Sequence, residues 1–303
     1  MKVRESKELM KYVNEFFKYS IDEGFLNQNY AMENYTQIGD MDVEFNDSID
    51  GDAWVHGNTV TINRRKTFAD EKYASLVLFH ELAHLCSDLH KNMFTPKGIL
   101  STYRDVMERE FSTDYKCGNR ITKLDDVDNP YTYLMFGFLL LDEVTSENTA
   151  EQLVARKFNI QRKPYRQEQR KIGNHYVSYT TNMGYYTIGQ ELANSFAKTL
   201  FLPNGEKNLN GLSKAVLNKE FTKDLIRQHY ESKYALSALY KEISYLGAIA
   251  YYEEQSQGRL QERRKIDPQL VYESYQNVTE LMDKGYEGRE KIPNNIDMPD
   301  FYE

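Results

Sequence analysis

His80, Glu81 and His84, in the run Leu78-Phe79-His80-Glu81-Leu82-Ala83-His84, are the residues whose types and spacing most plainly suit chemistry. Residues four apart share one face of an α-helix, so both imidazoles can reach a single cation. Neutral imidazole nitrogens suit Zn²⁺, and the glutamate directly after the first histidine falls beside the metal, within reach of a coordinated water. Zinc lowers the pKa of such a water to ~7, and Glu81 is expected to act as general base and then return the proton to a leaving group. Only 6 histidines occur in the 303 residues, which makes a chance His-Glu-x-x-His uncommon. The expected chemistry is hydrolysis assisted by Zn²⁺.

Two histidines leave the site one protein ligand short of the usual three. His90, ten positions after His80, gives His-Glu-x-x-His followed by five residues and a third His, but Ser87 stands where a glycine would let the helix turn. Glu143, in Leu141-Asp142-Glu143-Val144-Thr145-Ser146-Glu147, heads an i, i+4 pair of acids. Glu191 lies in Gln190-Glu191-Leu192-Ala193-Asn194-Ser195-Phe196-Ala197.

These residues resemble the zincin metallopeptidases. The 142–147 run is similar to the Asn-Glu-Ala-x-Ser-Asp pattern of the gluzincin (thermolysin-like) branch, with Asp for Asn, Val for Ala and Glu for Asp. The resemblance implies Glu143 as third zinc ligand and Glu147 as the carboxylate orienting His80 from behind. Glu143 follows His84 by 59 positions, a spacing that implies an insertion between the two helices. The Glu191 segment, ending at Pro203, looks more weakly like the repressor-cleaving ImmA/IrrE peptidases, with Glu191 one place too close to Asn194. The zincin likeness implies a hydrolase, specifically a metalloprotease. It also implies a sheet over the active-site helix whose edge strand binds peptide backbone, for which Thr59–Asn63 is the natural candidate. Tyr185, Tyr186, His175 and His229 are candidates to stabilise an oxyanion. The rival expectation is a catalytically silent zincin scaffold serving regulation or interaction.

The elements that must position these groups are mostly helical, and the expected class is α+β. Residues 1–157 should form a zincin-like core with an N-terminal helix and a hairpin. Residues 158–303 should form a mainly helical C-terminal part, packed with that core or apart from it. Met10, Tyr12, Val13, Phe16 and Phe17 predict a helix from about Ser6 to Tyr19. A polar, turn-rich stretch follows to Asp52. Ala53–His56 and Thr59–Asn63 flank Gly57-Asn58 as a hairpin. Thr67 and Asp70 mark the start of the His80 helix, expected to reach about Leu89. A long helix is expected over Tyr131–Lys157, a loop or small subdomain over Asn159–Met183, and helices over Tyr186–Leu202, around Leu236–Ile249, and from Asp267-Pro268 to Gly285. His56 reads as structural or surface. Cys86, about 200° around the helix from His84, reads as core.

The net charge of −8 argues against nucleic acid or an anionic membrane as partner. The expected partner is a peptide or protein substrate, and oligomeric state is not legible. Two cysteines allow one bridge at most. The N-terminal residues carry charges throughout with no apolar core, and the longest apolar run, about Tyr131 to Leu141, is short of the ~20 residues that span a bilayer. A cytoplasmic protein is expected.

Overall fold

A computed structural model describes residues 1–49, 51–56, 58–87, 130–160, 166–172, 174–181, 196, 209–219, 233–256, 268–269, 271–276 and 278–279. The architecture is α+β and mostly helical.

Helix α1 covers Lys7–Asp22, where Ser6 caps the first turn by accepting from the Leu9 N–H. Its stripe of Leu9, Tyr12, Val13, Phe16 and Phe17 is buried. The following stretch, expected to be turns, instead holds helix α2, Gln28–Gly39, and strand β1, Asp42–Phe45. The buried stripe of α2 is Ala31, Asn34 and Ile38; with an asparagine at its centre, the apolar periodicity is too weak to announce a helix.

Strands β2 (Ala53–His56) and β3 (Thr59–Ile62) form the expected hairpin, in register from Ala53 opposite Ile62 to His56 opposite Thr59. The sheet order is β1-β3-β2, with β1 parallel to β3. This overturns the expectation that Thr59–Asn63 is the edge: β3 is the central strand, and Val60, Thr61 and Ile62 are all buried. Residues at the N-terminus cover the outer side of β1, through Val43 N–H to the Met1 carbonyl (2.7 Å) and the bridge of Lys2 to Asp42. Among the described residues no strand pairs with the outer side of β2.

A short helix α3, Arg64–Thr67, precedes helix α4, Glu71–Cys86. Thr67 ends α3 rather than opening α4; the cap is Asp70, whose carboxylate accepts from the Tyr73 N–H at 2.8 Å. The described helix stops at Cys86, with Ser87 as C-cap, three residues before Leu89. Ala74, Leu78, Phe79, Leu82, Ala83 and Cys86 are buried, and Phe79 meets Phe16 of α1 with ring centroids 5.9 Å apart.

Helix α5, Pro130–Phe158, is 29 residues, about 43 Å long at 1.5 Å per residue. Asn159 follows in the left-handed region (φ 49°), a conformation asparagine tolerates at helix ends. Strands β4 (Arg166–Ile172) and β5 (His175–Thr181) then form a two-stranded antiparallel ladder where a loop or subdomain was expected. Helices α6 (Leu209–Leu217) and α7 (Lys233–Ser256) complete the named elements. Residues 268–269, 271–276 and 278–279 are helical; of the segment expected as a helix over 186–202, only Phe196 is described, and it is helical and buried.

Helix α5 packs against α4, α6 and α7, and touches α1. Its crossing with α7 is made backbone to backbone: a Cβ on Gly137 would strike the Ile243 carbonyl, and one on Gly247 would strike that of Tyr133. At its other end Lys157 ties α5 to α1 and α4, with its ammonium 2.7 Å from Glu15 Oε2, 2.9 Å from Ser75 Oγ and 3.3 Å from Glu71 Oε1. Glycine contact and lysine clamp together fix where α5 lies along its neighbours. No described helix is long and apolar enough to cross a membrane.

Candidate metal centre

Helices α4 and α5 run antiparallel, as the pairings show: His84 of α4 meets Asp142 of α5, while His80, one turn earlier, meets Glu147, more than one turn later. Each helix therefore contributes groups repeating at i, i+4 to the shared interface, His80 and His84 from one, Asp142 with Ser146 and Glu143 with Glu147 from the other.

His80 Nδ1 lies 2.9 Å from Glu147 Oε2, and His84 Nδ1 lies 2.7 Å from Asp142 Oδ2. An ionised carboxylate only accepts, so each Nδ1 carries the hydrogen and each Nε2 keeps a lone pair. Those two Nε2 atoms face one another at 2.9 Å. Glu143 completes the triangle, with Oε2 3.4 Å from His80 Nε2 and Oε1 3.7 Å from His84 Nε2. Three acceptors pointed at a common space repel unless a cation lies between them. Tetrahedral zinc with ligands at 2.0–2.1 Å spaces its ligand atoms roughly 3.3 Å apart, and the three separations bracket that value. His80, His84 and Glu143 thus form a donor set that a metal ion fits.

The charges point the same way. Burial and the neighbouring His84 pull the His80 pKa down, but hydrogen bonds with Glu143 and Glu147 outweigh both and push it up to about 10. For His84, burial is outweighed by Asp142 and Glu143, and its pKa rises well above the ordinary value. Burial would raise Glu143, yet the two imidazoles hold it well below the usual carboxylate range. Every shift favours positive charge at the centre of the cluster.

The site is closed on the His84 side, where Asp142 is 1% exposed, and open on the Glu143 side, where that carboxylate is 37% exposed. Glu81 is half-buried on α4, about 100° around the axis from His80. Strand β2, whose outer side no described strand pairs with, packs on α4.

Sequence reasoning named His80, His84, Glu143 and Glu147, and the structure brings these four together. It missed Asp142, Ser87 and Ser146. The Ser87 hydroxyl donates to Asp142 Oδ1, and Ser146 Oγ lies 3.2 Å from His84 Nδ1. Asp142 stood only as a departure from the family pattern, although its place one residue before Glu143 put it on the neighbouring stripe of the same helix. His175 sits on β5 with its ring stacked on Tyr272 at 3.8 Å. His56 ends β2, and Cys86 is a buried free thiol. His90, Tyr185, Tyr186, Glu191 and His229 lie outside the described residues. No family model, curated protein or solved structure matches the chain.

Proposed function

We propose that this protein is a zinc-dependent hydrolase of zincin type, acting on peptide bonds, with Glu81 as general base. The observation that carries the reading is the convergence of two Nε2 lone pairs and the Glu143 carboxylate on one space, with both Nδ1 atoms committed to carboxylates behind them. His80, His84 and Glu143 would hold the ion. When bound, zinc supplies a Lewis acid for the substrate carbonyl and lowers the pKa of the attacking water.

The residues of the chain do the rest. Glu147 and Asp142 fix the tautomer and tilt of the two rings, and their charge makes the imidazoles stronger donors. Glu81, next to His80, takes the proton from the attacking water on its carboxylate and delivers it to the departing amine nitrogen. An extended peptide can add through backbone hydrogen bonds to the side of β2 that no described strand occupies, which needs no particular side chains. The scarcity of cysteine suits a reducing compartment, and we assign the protein to the cytoplasm.

The test is Glu81→Gln. About one zinc per chain, removable by chelator, is expected in parent and variant alike, with hydrolysis of a mixed peptide substrate lost only in the variant. A parent that binds zinc but cleaves no peptide would instead support a silent scaffold. A parent that takes up no zinc ends the metal reading.

A further inference from the structure

Resting on that metal reading, we propose that Asp142 is the main positioning residue of the centre: it clamps His84 by bonding its ring and the C-cap of its helix at once, and so contributes more to metal affinity than Glu147 does.

The two histidines do not stand in equivalent places. His80 lies in the interior of α4, with helical backbone on both sides. His84 lies in the last turn of α4, two residues before its end at Cys86, where backbone groups lack intrahelical partners and fraying concentrates. Asp142 compensates for this. Its Oδ2 takes the His84 Nδ1–H at 2.7 Å and its Oδ1 takes the Ser87 hydroxyl, while the Ser87 N–H donates to the His84 carbonyl at 3.0 Å. These three hydrogen bonds close a loop through ring, backbone and cap, so His84 cannot rotate or fray without breaking the carboxylate's contacts. Ser146 Oγ supports the same ring edge at 3.2 Å. Among the described residues Glu147 bonds only the His80 ring, already fixed by its helix, and it is 12% exposed where Asp142 is 1% exposed. Charge interactions strengthen away from solvent, so the Asp142 carboxylate also acts more strongly on the basicity of its imidazole.

An asparagine at 142 could make both contacts, accepting from Nδ1–H and donating to Ser87 Oγ, but without the charge. This separates geometry from electrostatics. Zinc affinity is measured by chelator competition on the full chain for the parent, Asp142→Ala, Asp142→Asn, Ser87→Ala and Glu147→Ala, with helix content checked by circular dichroism. Removing a carboxylate behind a metal-bound histidine costs 10–100-fold in affinity. Asp142→Ala is expected near the upper end, about 100-fold, and Glu147→Ala and Ser87→Ala near tenfold. Asp142→Asn should fall between parent and Asp142→Ala, a partial rescue that geometry alone provides. If Asp142→Ala does not fold, the comparison of Asp142→Asn with the parent decides. The assignment is overturned if Asp142→Asn binds as tightly as the parent, or if Glu147→Ala loses as much as Asp142→Ala. It is overturned too if Asp142→Ala stays within about threefold. A parent that binds no zinc defeats the metal reading itself, a different result from any of these.

Discussion

On the metal reading proposed above, removing zinc should reverse the protein's response to alkali, and the size of the effect follows from the geometry. Without a metal ion, the two facing Nε2 atoms at 2.9 Å can be reconciled by one proton between them. Both imidazoles are pushed towards retaining it, His80 to about 10 from an ordinary 6.5. Two protons are excluded, because two N–H groups cannot point at each other across that distance. The two unfolded imidazoles together hold about one proton at pH 6.5 and almost none at pH 8.5, while the folded pair keeps its one until about pH 10. Stability from a raised pKa is complete below the unfolded value and is lost as pH climbs through the folded one, so the metal-free protein should weaken with rising pH. One proton corresponds to about 1.4 kcal/mol per pH unit, and because the unfolded imidazoles release theirs only gradually above pH 6.5, roughly 2 kcal/mol is lost between pH 6.5 and 8.5. Metal-bound protein has already given up that proton, so its stability should instead rise with pH over this range as the unfolded imidazoles lose theirs. Urea titrations of chelator-treated and zinc-loaded protein at pH 6.5, 7.5 and 8.5, followed by circular dichroism, give both slopes. A metal-free protein as stable at pH 8.5 as at pH 6.5 would show that no proton is trapped. The argument from converging lone pairs would then fail.

Glu143→Ala should lose zinc by at least ~100-fold, and by more than His90→Ala or Glu191→Ala, because it removes one of three donors from a closed-shell cation; full retention of metal in chelator competition would refute its place in the set. Gly247→Ala should destabilise the protein by ~1–3 kcal/mol or more, since the added methyl meets the Tyr133 carbonyl and the Gly137 N–H with no flexible side chain to yield. Its melting temperature should fall by several degrees, and an unchanged value would mean that α5 and α7 are not in backbone contact.

The fold was legible where burial follows one period and illegible where tertiary contacts decide. Helix α1 announces itself because Leu9, Val13, Phe16 and Phe17 are all large and apolar. Helix α2 does not, because Asn34 occupies the middle of its buried stripe and only packing turns that position inward. Strand pairing is decided further away still. Thr59–Ile62 reads as an edge as readily as a centre until β1, 17 positions back, arrives in parallel with Asp42 opposite Thr59. The second hairpin carried a usable sign: Gly173-Asn174 repeats the Gly57-Asn58 pair of the first, and both precede strands that pair backwards. The polar run Arg166–Ile172 obscured it, because two-stranded ladders need little apolar patterning.

The candidate site divides along the same line. His80, Glu81 and His84 are fixed by spacing within one helix, and so is the pair Glu143 and Glu147. The joining of these two local patterns depends on α4 and α5 running antiparallel at one particular offset. Lys157 of α5 holds that offset from the far end of the helix, through Ser75 of α4. Once the offset is fixed, a helix presenting Glu143 and Glu147 must also present Asp142 and Ser146 one stripe over, and these fall against His84. The acid read from sequence as a mere replacement for an amide is thus a consequence of helix register. It is also the more buried of the two carboxylates behind the imidazoles, 1% exposed against 12% for Glu147.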